Sequence, residues 1–179
     1  IPLFLKHERA IKEYLHANLD YIALCHWNGN IDNAWFWTNP DGALECGLMD
    51  WARVAQIPLA QAVWGCFSSA EVELWENHLD EVLAEFAAEY HRAGGPAIDV
   101  RELKLQLHFV TVMMGLAYLM DAPRVIQKEM PDLATVKDRF DPRFVANETA
   151  RVQLHAVTKV LTQWQRHDFG KVLERFLKR

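Results

Sequence analysis

Basic runs, glycine-rich loops, paired cysteines and long apolar stretches are all scarce or missing in this sequence of 179 residues. With 24 acidic against 19 basic side chains the formal charge is −5, and no Lys/Arg cluster supplies the electrostatic footprint of a phosphate-backbone binder, so no nucleic-acid partner is expected. Cys25, Cys46 and Cys66 are odd in number and share no metal-ligand spacing, which excludes a disulfide framework and a zinc site and suits a reducing cytoplasm. The most apolar stretch, 105–120, carries His108 and falls short of the roughly 20 residues that cross a bilayer, so no membrane partner is expected. The only adjacent glycines, Gly94 and Gly95, read as a helix stop. No signal peptide is visible, and an opening at Ile1 in helical pattern suggests a piece cut from a longer protein. What is present is ample core material, 51% hydrophobic and 11% aromatic, for one domain over 1–179.

Apolar spacing at Ile11, Tyr14, Leu15 and Leu19 predicts an amphipathic helix over 6–19. A short apolar run, 21–25, then enters a polar loop, 26–33, and the aromatic segment 34–38 reads as a strand. The sequence Asn39-Pro40-Asp41-Gly42 supplies turn chemistry before a second strand over 43–49, giving a β-hairpin on which Trp35 and Trp37 share a face and are expected in the core. Helices follow. One covers 59–67 after Pro58; Ser68 and Glu71 have capping-box spacing for a long helix to about His91; Asp99 and Glu102 repeat it for an apolar helix ending before Pro123. Residues 124–144 read as loops with a short helix, and helices over 148–166 and 169–178 close the chain, the second capped by Asp168. The fold class expected is α+β, mainly α: a hairpin and loop on a helical bundle.

Helix periodicity accounts for neither the polar loop nor the ends of the hairpin, where His26, Asn28, Asn30, Asp32, Asn33 and Asp50 lie. The segment Leu24-Cys25-His26-Trp27-Asn28-Gly29-Asn30-Ile31-Asp32-Asn33, a hairpin, and Leu48-Met49-Asp50-Trp51 resembles the catalytic segment of the aminoglycoside phosphotransferase and choline kinase family, relatives of the protein kinases. In that family a strand ends in His-Gly-Asp, an Asn follows five residues after the Asp, and a hairpin delivers a second Asp. His26, Asn33 and Asp50 match; Trp27 stands in place of the Gly and Asn28 in place of the first Asp. The resemblance is tight over 24–51 and architectural beyond. It implies the larger, C-terminal lobe of a protein-kinase-like fold, with ATP held mainly by an N-terminal lobe that this sequence does not contain. It further implies transfer of the ATP γ-phosphate to the hydroxyl of a small molecule, with Asp50 and Asn33 as Mg²⁺ ligands and His26 as the residue that orders the loop.

Chemistry independent of the resemblance supports that spacing. Magnesium takes oxygen ligands and keeps several waters, so one carboxylate and one amide oxygen can serve, and a tight hairpin folds Asp50 back beside Asn33. Asn28 can align a hydroxyl but cannot take its proton, a loss typically of about 10²–10⁴-fold. Two functions stay open: a phosphotransferase with Asn28 and His26 at its reacting centre, or a silent relative that binds a ligand or partner through the same cleft. A helical interaction module survives only if the hairpin is misread. Trp27 and Trp51 are candidates for an aromatic cage around an amine-bearing substrate, since each such cation–π contact is worth about 0.5–2 kcal/mol. The acidic stretch 71–102 reads first as a solvated helix face, His108 as core, and Arg166-His167-Asp168-Phe169-Gly170 as a decoy without the spacing of kinase motifs.

Overall fold

The N-terminal amphipathic pattern forms two helices, α1 (Pro2–Lys6) and α2 (Glu8–Ala17), with Phe4, Ile11 and Leu15 buried. The expected single helix over 6–19 is corrected at both ends. It breaks at His7, and Leu19 is 76% exposed in a 3-10 turn, because the Asn18 side chain accepts the Asp20 N–H at 3.0 Å and starts that turn instead of continuing α2. The computed structural model describes the backbone of residues 1–179 and the side chains of all but Arg53, Tyr118 and Leu119. It divides into two compact units, Pro2–Val110 and Thr111–Arg179. The fold is mainly helical, with its strands in two antiparallel pairs.

In the first unit, β1 (Ile22–Cys25) is followed by β2 (Ala34–Thr38), β3 (Leu44–Leu48) and β4 (Ala55–Pro58). The hairpin β2–β3 forms as its turn chemistry requires: Asn39 Oδ1 accepts the N–H groups of Asp41 and Ala43, and Gly42 takes φ 83°. Its register pairs Ala34 with Leu48 and Thr38 with Leu44. Around it, β1 pairs with β4, Cys25 opposite Ala55, so the chain leaves one small ladder, makes the hairpin and returns to the same ladder. Trp35 and Trp37 are not core: they are 46% and 40% exposed, stacked on each other at 6.0 Å. Alternation does place them on one face, but that face is uncovered, and Trp35 folds over Gly47 across the strand pair.

The helical body begins with α3 (Leu59–Phe67), α4 (Val72–Asn77), α5 (Leu79–Arg92) and α6 (Val100–Glu129). Ser68 does not cap the helix that follows it. Its hydroxyl donates back to the Gly65 carbonyl at 2.9 Å, so α4 starts after Glu71, and a break at His78 divides the expected long helix. Gly94, at φ 97°, stops α5. Asp99 caps α6 through the Arg101 N–H at 2.7 Å, and Tyr21 bridges both backbone groups of Asp99, tying the start of β1 to the start of α6. The acidic side chains of α5 are exposed, as a solvated face requires; Glu89 pairs with Arg92 and Asp80 with Lys104. Among the described residues no single helix is long and apolar enough to cross a membrane.

The expected end of the apolar helix before Pro123 is also corrected, since α6 carries Pro123 inside and continues to Glu129. Proline removes one helical hydrogen bond, a local cost that burial of Ala122 and Ile126 on the same helix and of Met130 just after it offsets. A 3-10 turn (Leu133–Thr135), α7 (Pro142–Ala146), α8 (Glu148–His167) and α9 (Phe169–Phe176) complete the second unit. Gly115 of α6 lies so close to Val160 of α8 that a Cβ would meet it at 2.4 Å. Asp141, Asn147 and Asp168 cap α7, α8 and α9. Asp168 takes φ 45° and accepts the Lys171 N–H at 3.2 Å, a helix cap as expected.

Arg143 holds the segment before α7 from one guanidinium. It donates to Asp132 at 2.5 Å, to Thr135 Oγ1 at 2.9 Å and carbonyl at 3.1 Å, and to both oxygens of Asp141 at 3.0 and 2.8 Å. Those bonds, with the Arg143 N–H, pull the Asp141 carboxyl down to about 2 from an ordinary 3.8. A depressed folded-state pKa gives stability that is complete above the unfolded value and lost as pH falls toward the folded one. Wild type is therefore expected to lose thermal stability between about pH 4 and pH 2 more steeply than Asp141→Asn, which retains an oxygen for the Arg143 N–H. Parallel melting curves of the two proteins over that window would refute the assignment.

Candidate functional site

The 26–33 loop rests on α3 because α3 has no side chain at Gly65: a Cβ there would stand 1.7 Å from the Trp27 carbonyl oxygen. Gly29 meets the same helix, with the Cys66 sulfur 3.2 Å from the position of a Cβ. Burial pushes the thiols of Cys25 and Cys66 up, so neither is activated as a nucleophile.

One imidazole closes the loop against the hairpin. His26 Nε2 donates to the Met49 carbonyl at 2.7 Å, and His26 Nδ1 accepts the Asn28 N–H at 3.2 Å. A carbonyl requires a donor and an N–H an acceptor, so both bonds together define the neutral Nε2–H tautomer. Trp51 packs its ring edge-on to His26 at 4.9 Å and donates its indole N–H to Leu48.

Three amides then form a ladder. Asn30 Nδ2 donates to Asn28 Oδ1 at 2.9 Å, Asn33 Nδ2 donates to the Asn28 carbonyl at 2.8 Å, and Asn30 Oδ1 accepts the Asp32 N–H at 3.0 Å. The Asn33 nitrogen is committed, and its Oδ1 accepts no hydrogen bond among the described residues. The Asn33 carbonyl accepts the Met49 N–H at 2.9 Å, which sets residue 33 opposite 49 and makes Asp50 the next residue along. Asp50 adopts φ 58°, ψ 55°, a left-handed conformation that Asp tolerates better than most residues, and its exposed carboxylate caps nothing.

His26, Trp27, Asn28 and Asp50 line one cavity of about 310 Å³. Four of the six residues singled out in the sequence thus converge; Asn33 stands behind them through its bond to Asn28, while Trp51 buttresses His26 and does not line the cavity. Of the two tryptophans expected to form a cage, Trp27 lines the cavity and Trp51 does not. Asp32 is exposed, with no side-chain bond among the described residues, so it is no substitute for a carboxylate at position 28. Among the described residues no cluster of three or more His, Cys, Asp or Glu could hold a metal.

Sequence reasoning placed Asn30 in the loop without a role and missed Gly65. Asn30 had a signal, an Asx turn onto Asp32, and Gly65 had another, an isolated glycine in an apolar helix. Gly65→Ala is expected to cost about 1–3 kcal/mol in urea unfolding and to speed exchange of the Asn28 amide, since the loop must lift off α3. Wild-type stability and exchange in that variant would contradict this docking. No family model, curated protein or solved structure matches the chain.

Proposed function

We propose that the chain is the larger lobe of an ATP-dependent phosphotransferase acting on a small-molecule hydroxyl, of the aminoglycoside phosphotransferase and choline kinase type. The observation that carries this reading is the convergence of Asn28 and Asp50, from opposite ends of the hairpin, on one cavity with His26. The order of parts supports it: a strand ending just before His26, an amide ladder ending at Asn33, a hairpin, and Asp50 at a left-handed turn.

The residues fit magnesium by donor chemistry. Asp50 offers an uncommitted carboxylate and Asn33 an uncommitted amide oxygen, both hard donors, and a cation that keeps its waters needs no third protein ligand. When bound, Mg²⁺ neutralises charge on the phosphates. The chain's own residues do the rest: His26 and the ladder hold the loop, Asn28 orients the acceptor hydroxyl, and Trp27 offers an aromatic surface for a cationic substrate. Nucleotide is held mainly by an N-terminal lobe.

A second reading, a silent relative that binds without transferring, draws on the same ladder. Asn28 Oδ1 already accepts from Asn30, and His26 Nδ1 already accepts the Asn28 N–H, so neither is spare to take a proton. One pair of variants separates the two. In Asn28→Asp one oxygen keeps the Asn30 bond and the other replaces Nδ2 as a free acceptor, so Mg²⁺-dependent ATP turnover by the full-length protein is expected to rise by up to about 10²-fold. Asp50→Asn, which tolerates the left-handed backbone, is expected to abolish metal-dependent ATP binding and turnover. Absence of metal-dependent ATP binding in every form would exclude the phosphotransferase. Binding with turnover confined to Asn28→Asp would identify the silent relative.

A further inference from the structure

The second unit contains a larger cavity, about 710 Å³, walled by Ala122, Ile126, Leu133, Val136, Phe144 and Leu154. Its volume lies within the range of sites that enclose drug-sized molecules, and its wall adjoins a buried cluster of Ile126, Met130, Phe144 and Ala150. The exposed part of the lining carries one cation, Arg139, and one anion, Asp138. Arg139 makes no ion pair among the described residues; it is exposed, and its guanidinium lies 4.8 Å over the Phe140 ring. Asp138 also borders the cavity, but its Oδ1 accepts the Phe140 N–H at 2.8 Å and is folded into its own turn. The wall that carries Arg139 is the segment stapled by Arg143 to Asp132, Thr135 and Asp141, so the cation is presented from an anchored loop.

We infer that this cavity binds a small apolar molecule bearing one carboxylate, of the size of a medium-chain fatty acid, with its hydrocarbon against Ile126, Leu133, Val136, Phe144 and Leu154 and its head on Arg139. The wall offers a sugar or nucleotide a single neutral polar side chain, Gln127, among its apolar residues, whereas a planar guanidinium in no ion pair among the described residues pairs with a carboxylate in a two-point contact. The inference is independent of the phosphotransferase reading, since it uses none of the residues of the loop and hairpin.

Dodecanoate is the probe, with dodecanol and dodecylamine as head-group controls, titrated calorimetrically into the protein. Dodecanoate is expected to bind at one site and at least about tenfold more tightly than either control. Arg139→Gln should remove that preference while leaving dodecanol unchanged. Ala134→Trp, a substitution at an exposed residue of the wall, should fill the cavity and eliminate binding of all three without loss of the fold by circular dichroism. Equal affinity for dodecanoate and dodecanol, tighter binding of dodecylamine, or no dodecanoate binding at all would each overturn the inference. So would dodecanoate binding that survives Ala134→Trp.

Discussion

The candidate site depends on the imidazole of His26, because among the described residues it is the one side chain bonded to both ends of the segment that makes the site. Through Nε2 it holds Met49, the residue before Asp50, and through Nδ1 it holds Asn28. Each bond contributes on the order of 0.5–1.5 kcal/mol, a modest sum against the entropy of ordering a polar loop. Its value is geometric. Met49 has its carbonyl taken by His26 and its N–H taken by Asn33, so the peptide entering Asp50 is fixed from two sides. A non-glycine residue with positive φ persists where its neighbours over-determine it, and Asp50 is such a case.

Local chemistry was legible in the sequence, and long-range packing was not. The hairpin could be placed to within a residue because Asn39, Pro40, Asp41 and Gly42 specify their turn from within. The caps at Asn39 and Asp168 follow the same logic, each side chain bonding a backbone a few residues on. Ser68 shows where that logic fails: capping-box spacing points its hydroxyl forward, yet it donates back to the Gly65 carbonyl of the preceding helix. The pairing of β1 with β4 joins segments on either side of an entire hairpin, and the short, partly polar β4 carries no alternation that announces a strand. Trp35 and Trp37 were assigned inward by type, but period two reports only that they share a face. Whether that face is covered is a property of everything else in the fold.

The site itself divides along the same line. His26, Asn28, Asn33 and Asp50 are recognisable as a set because a hairpin of fixed length must bring its two ends together. Gly65 is not, because its role is to be absent as a side chain where a carbonyl of a distant loop passes. Asn30 lies between these cases: its turn onto Asp32 is local, whereas its second bond, to the Asn28 amide, has meaning only once Asn28 faces the cavity.

That second bond bears on the chemistry open to the loop. A carboxylate at position 28 would stand in one cavity with Asp50, and like charges that share a site raise one another's pKa or demand a cation between them. With an amide at 28 the cavity lining carries a single carboxylate, and the bonds that Asn30 and Asn33 make to Asn28 form without any ion. Phosphoryl transfer through a loose transition state asks a protein mainly for position and charge compensation. Position comes from the ladder and His26, compensation from whatever cation Asp50 and Asn33 hold. In the proposed reading, replacement of the base thus trades proton transfer for a loop that stays ordered without metal, and the order of the loop is the property that transfer and mere binding both require.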